Sequence, residues 1–317
     1  MTANGTATTR TIQPGIFALG TTDHAYVELD LKEGADPQAA LADLAQVANV
    51  GTVSGCNVVV GVRPSLWATV ADAADVPVGV HDFDTDITSG EGKPAEGDFS
   101  MPATQHDAWI WVAGASKTKV YDEATKIRVA LMKSWTVSNM DMGWAYGAAK
   151  DLIGFEDGTE NPGLLEAPGV VGVAAGQPGA GSSVLLYQRW AQIGHSWYMQ
   201  SRRDQELSVG RTKADSIELD EDVMPETSHV SRTVIEVDGE ELEMYRRNVA
   251  YGDLNTFGTL FVGFSFDQWR VEEMLRRMAG YDGLRDALTR FFTVETGAWY
   301  VVPSVEALLA FLPEDDE

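Results

Sequence analysis

The chain has 317 residues and a mass of 34.4 kDa, more than a single hydrophobic core commonly organises, so one large domain or two of about 150 residues are expected. Hydrophobic residues make up 44% and charged residues 22%, a balance that excludes disordered, collagen-like and coiled-coil chains. With 48 Asp and Glu against 23 Lys and Arg, the net charge of -25 repels phosphate backbones and excludes nucleic acid as a partner.

The alternation Ala25, Val27, Leu29, Leu31 has period two and predicts a half-buried strand. Pro37 and the periodic run Ala40, Leu41, Leu44, Val47 predict a helix after it. The β-branched run Val58–Val60 reads as a second strand, broken at Gly61, with a short helix opening at Pro64. Residues 82–105 are acidic, rich in Gly and Pro and aperiodic, the marks of a surface loop. Trp109–Val112 predicts a strand and Val120–Met132 an amphipathic helix. Residues 154–182, rich in Gly, Pro, Asn and Asp, read as a loop of the kind that carries function on a rigid scaffold.

The second half repeats the alternation. Val184–Tyr187 reads as a strand and Gln200–Leu207 as a helix. Thr233–Val237 is expected to pair with Glu241–Tyr245 across the Asp238-Gly239 turn. Leu260–Phe264 predicts a further strand, feeding a helix with Val271, Met274, Leu275 and Met278 on one face. Both halves carry a strand that ends in glycine and leads to a helix, at Val60-Gly61 and Val262-Gly263. The expected fold is therefore α+β in two similar halves, residues 1–150 and 151–317, with duplication as one origin.

Cys56 is the sole cysteine, so a disulfide-built secreted scaffold is excluded. The N-terminus lacks a basic segment followed by an apolar run, and no stretch reaches the ~18 apolar residues of a membrane helix, so a cytoplasmic protein with no membrane partner is expected. An acidic, lysine-poor surface suits high salt, and it also suits an ordinary acidic soluble protein; charge alone does not separate these.

Gly154-Phe155-Glu156-Asp157-Gly158-Thr159-Glu160-Asn161-Pro162-Gly163 packs three carboxylates among turn formers. Such a segment is commonly a solvated turn, yet its glycines also let backbone approach a ligand closely. The five histidines (His24, His81, His106, His195 and His229) form neither a HExxH nor a His-x-His pair, which excludes the usual zinc patterns. A haem iron, in contrast, needs only one axial histidine. His229 precedes the expected hairpin and Arg246-Arg247-Asn248 follows it, so the hairpin would bring His229 and Arg246 into one neighbourhood.

Taken together, the GFEDGTENP segment, Gly210-Arg211-Thr212-Lys213, Ser228-His229-Val230, Arg246-Arg247-Asn248 and the strand Thr259–Phe264 resemble, in order, the dye-decolorising peroxidases, and the compact length resembles their bacterial cytosolic type B/P branch. The resemblance implies a dimeric α+β barrel-like fold of two ferredoxin-like halves, a homo-oligomer, with haem b held mainly by the C-terminal half. It implies His229 as proximal iron ligand, Asp157 as distal acid, Arg246 as distal arginine and Asn248 as a further distal polar group. Arg211 would face a haem propionate, and Asp286, with Asp282 as the alternative, would hold the His229 imidazole.

The implied activity is reduction of hydrogen peroxide and oxidation of small aromatic, dye or porphyrin-like donors through a high-valent iron-oxo state; a haem-handling protein with incidental turnover is the alternative. A carboxylate suits proton movement between peroxide oxygens, and a permanently charged guanidinium suits the charge that develops there. The acidic surface favours cationic donors. The chain ends in Glu314-Asp315-Asp316-Glu317, unlike a peptide for packaging in an encapsulin shell, so no such packaging is expected.

Overall fold

The computed structural model describes residues 10–49, 51, 53–89, 99–147 and 150–313. Residues 1–9, the middle of the expected surface loop at 90–98, and the acidic end at 314–317 lie outside the described residues.

The fold is α+β around a closed antiparallel sheet. Going round the ring, the strands are Phe257–Ser265, Val249–Gly252, Trp135–Trp144, Asp23–Leu31, Ala108–Gly114, Cys56–Val62, Ala298–Val302 and Ser183–Gln192, which pairs back to Phe257–Ser265. Strands from residues before 150 form one continuous arc and strands from residues after it form the other. The arcs meet where Ala250 pairs with Trp144 and where Val301 pairs with Val62. Tyr245–Arg246 and Phe292–Val294 extend the sheet outside the ring.

Period two sends alternate side chains to opposite faces of each strand. Tyr26, Val59, Trp109, Trp111, Tyr187 and Tyr300 fill the interior, in a cluster to which both arcs contribute. Their neighbours Ala25, Val27 and Leu29 face outward and pack with residues of the helices Pro37–Ala48 and Lys117–Leu131. On the other outer face Val184, Leu186 and Trp190 pack with Val271, Met274, Leu275 and Met278 of the helix Gln268–Ala279. That last face carries the site.

The helix boundaries follow local chemistry. Asp36, Asp267 and Ser228 each accept a backbone N–H of the first turn that has no partner within the helix. Gln268–Ala279 stops at Gly280, whose φ of 86° is the left-handed cap conformation.

The hairpin differs from expectation. The Asp238-Gly239 turn forms, but pairing is limited to Glu236–Val237 with Glu240–Glu241. Thr233 closes a helix, His229–Thr233, initiated by the Ser228 cap, and Tyr245 pairs with Phe264 of the main sheet. The 154–182 segment, expected as a loop, contains the short helix Ala167–Val171. The strands Trp135–Trp144, Val249–Gly252, Phe292–Val294 and Ala298–Val302 went unread in the sequence.

Candidate active site

An open cleft of about 770 Å³ lies between the helix Gln268–Ala279 and the outer face of the C-terminal arc. His229, Asp157, Arg246, Asn248 and Asp286, distant in sequence, all line it. Its walls are otherwise largely apolar, with Ile153, Trp190, Phe261, Met274, Leu275 and Phe292.

His229, Asp157 and Asn248 are held through their side chains, and Arg246 through its backbone. His229 opens its helix, and its Nδ1 lies 2.7 Å from Oδ2 of the fully buried Asp286. A carboxylate there accepts Nδ1–H, so Nε2 is the nitrogen left for a ligand. Asp282, the alternative for this role, binds Arg232 instead.

Asp157 sits in the turn between Gly154 (φ 89°) and Gly158 (φ 83°). The positive φ at Gly154 is what calls for glycine there; a Cβ would meet only the flexible end of Lys213, 2.8 Å from its Cε. Asn161, in the same motif, docks the turn onto the strand Tyr245–Arg246: its Nδ2 donates to Arg246 O at 2.9 Å and its Oδ1 accepts from Arg246 N at 2.8 Å. The Asp157 turn and the Arg246 backbone are thereby tied together. Asn248 bridges further, donating to Asp157 Oδ1 at 3.3 Å and accepting from Val262 N at 2.9 Å.

Sequence comparison adds to this geometry. The profile of the family described as "Dyp-type peroxidase, C-terminal" matches residues 148–307, half the chain. A dye-decolorizing peroxidase of Mycobacterium tuberculosis is 30% identical over 294 residues, which cover 87% of this chain and 84% of that one. The chain belongs to the Dyp-type peroxidase family.

Membership makes it a haem-dependent peroxidase. A dye-decolorizing peroxidase of Mycolicibacterium paratuberculosis is 35% identical over 215 residues, or 66% of this chain; the chain spans 61% of that relative's length. A DypB variant of Rhodococcus jostii RHA1, solved in complex with heme, superposes with a TM-score of 0.81 at 29% identity, covering 92% of this chain and 96% of that one.

The cleft of this Dyp-type peroxidase suits a flat, largely apolar cofactor with an iron at its centre. It offers one imidazole, an apolar wall, and two buried donors without a partner among the described residues, Arg246 Nε and Gln188 Nε2. Buried donors without partners are rare in folded proteins and mark places where a ligand completes the hydrogen bonding. Arg211 is not among the residues that line the cleft. Its guanidinium donates to Ser216 O at 2.9 Å and to Glu218 at 3.0 Å, and it also pairs with Glu160.

Two further lining residues bear on the chemistry and went unread in the sequence. Gln188 is fully buried and its Oε1 accepts from Trp190 Nε1 at 3.1 Å; an amide directly after the apolar run Val184–Tyr187 was the available signal. Asp151 lies behind the Asp157 turn and accepts Phe155 N at 3.0 Å. It lines both this cleft and a second cavity of about 680 Å³ on the far side of Asp157, Arg246 and Asn248. Burial, with the Asp157 charge adding, pushes the Asp151 carboxyl up to about 7. Its signal was an aspartate three residues ahead of a turn glycine.

Proposed function

We propose that the cleft binds haem b, whose iron His229 would hold, and that the enzyme reduces hydrogen peroxide while oxidising small aromatic, dye or porphyrin-like donors. The observation that carries this reading is the pairing, in one cleft, of a carboxylate-held imidazole with a separate Asp157, Asn248 and Arg246 cluster. Haem supplies, when bound, the redox-active iron at which the peroxide bond is broken and from which oxidising equivalents pass to the donor.

The chain's residues supply the rest. Asp286 accepts a hydrogen bond from His229 Nδ1–H and strengthens the imidazole as an electron donor through Nε2. Asn248 occupies Asp157 Oδ1, which leaves Oδ2 to take a proton from one peroxide oxygen and return it to the other. Arg246, whose Nε has no partner among the described residues, presents a fixed positive charge to the oxygen on which charge develops. Arg211, outside the cleft lining and paired with Glu160 and Glu218, would hold a haem propionate by exchanging those pairs for it.

The test is the absorption spectrum of the haem-loaded protein and its change with one equivalent of hydrogen peroxide, for the native chain, His229→Ala, Asp157→Asn and Arg246→Leu. A Soret shift within seconds in the native chain, altered haem binding in His229→Ala, and peroxide reaction slowed by about 10²–10³-fold, most in Arg246→Leu, are expected. Tight haem binding with no peroxide response would assign the cleft to haem handling instead.

A further inference from the structure

The helix that presents His229 spans only His229–Thr233. A helix of five residues does not hold its own shape in water, since nucleation is unfavourable and one turn recovers little of it. Something outside the helix must set its position, and with it the direction of the imidazole.

Two contacts on one helix face do this. His229 and Arg232 are three residues apart and therefore neighbours on the helix surface. The segment after the helix Gln268–Ala279 returns two aspartates four residues apart to meet them. Asp286 takes His229 Nδ1 at 2.7 Å, and Asp282 takes Arg232 Nη2 with both oxygens at 2.7 Å.

The Arg232 side chain is only 4% exposed, and its Nε and Nη2 also donate to Arg277 O at 3.2 and 3.0 Å. Arg277 reciprocates, donating through Nη2 to Ser231 O at 2.7 Å and through Nη1 to Val234 O. Asp282 Oδ1 accepts Leu284 N at 3.1 Å, and Asp286 N donates to Met278 O at 3.1 Å, so both carboxylates are anchored to the same returning segment.

We infer that the Arg232–Asp282 pair is a positioning device for His229, the second point of a two-point clamp that keeps the imidazole aligned with Asp286. The inference rests on the haem-ligand reading of the same site and extends it to residues outside the cleft: neither Arg232 nor Asp282 lines it. Arg277 ties Ser231 O and Val234 O to the helix Gln268–Ala279, and the Arg232–Asp282 pair adds the contact on the face that carries His229. With that pair in place, rotation of this face about the His229–Asp286 bond is blocked and the Nδ1–H to Oδ2 bond keeps its length. Proton sharing along that bond sets how strongly the imidazole donates to the iron, and hence the iron's reduction potential.

The experiment compares the haem-loaded full chain with Asp282→Asn, Arg232→Gln and Asp286→Asn. It measures the ferric/ferrous midpoint potential and the iron–histidine stretching frequency of the ferrous form, with circular dichroism and thermal melts alongside. The expected result is a higher potential and a lower stretching frequency in Asp282→Asn, in the same direction as Asp286→Asn and smaller, together with haem loss to a scavenger faster by about tenfold. Asp282→Asn keeps the side-chain shape and the acceptor for Leu284 N, so it decides the matter if Arg232→Gln does not fold.

Native potential and frequency in a folded Asp282→Asn, even with a lowered melting temperature, would reduce the pair to structural support and overturn the inference. An unchanged haem spectrum in His229→Ala would instead remove His229 as the ligand, and the clamp would fall with the reading beneath it.

Discussion

Asp151 carries the clearest single-residue consequence. Its carboxyl is pushed up to about 7 in the folded chain by burial and by Asp157, against about 3.9 for an unfolded aspartate. The folded state therefore holds the proton more tightly than the unfolded state. The stability linked to that proton is fully present below about pH 4 and is lost as pH rises through about 7. Asp151→Asn retains an oxygen for Phe155 N and removes the titration. Its melting temperature should match the native value near pH 4 and exceed it at about pH 8. Thermal melts across that range check this, and a gain confined to acid pH would contradict it. Lys213 packs over the Phe155 ring at 5.3 Å and donates to Gln205 Oε1 at 2.7 Å, and burial lowers its pKa.

Among the elements, the turn that carries Asp157 depends on Asn161 more than on any contact of Asp157 itself. Asn161 uses one side-chain amide to satisfy both backbone groups of Arg246, as a neighbouring strand would. Asn161→Ala loses both bonds and should cost about 2 kcal/mol in urea unfolding, at roughly 1 kcal/mol each. Peroxide reaction should fall with it, since Asp157 loses its register with Arg246, while haem binding through His229 persists. Loss of haem with unchanged peroxide chemistry in the haem-bound fraction would contradict this. The misread hairpin has a related cause. Its Asp-Gly turn was legible because a local φ requirement dictates it, whereas the partners of Thr233 and Tyr245 were settled by competition from the Ser228 cap and the main sheet.

For the whole molecule the dominant property is charge, at -25 over 317 residues. A field of that sign raises the local concentration of cationic donors and lowers that of anionic ones, and salt screens both effects over about 10 Å at 0.1 M. At low ionic strength kcat/KM should be higher for a cationic dye than for an anionic dye of equal potential, and the ratio should fall toward one as salt is added. Anionic dyes outperforming cationic ones at low salt would contradict it. No helix among the described residues is long and apolar enough to cross a membrane.

Local patterns in the sequence were enough for the α+β class, the principal helices and the turn around Asp157, because side-chain periodicity, caps and glycine conformations act over a few residues. The order of its motifs was enough to point to the family and to single out His229, Asp157, Arg246 and Asn248, with Asp286 or Asp282 beside His229, and the fold brings the first four and Asp286 to one cleft. What the sequence did not contain is which strands meet. Closure of the ring rests on pairings such as Val262 with Tyr187 and Ala250 with Trp144, whose partners lie far apart in the chain. The same closure decided that Gln188 faces the cleft while Tyr187 faces the interior, and packing of the segment after the helix Gln268–Ala279 decided that Asp286 meets His229 while Asp282 meets Arg232. Those choices depend on packing between distant segments, where a one-residue change of register exchanges the two faces of a strand, and only the tertiary structure decides them.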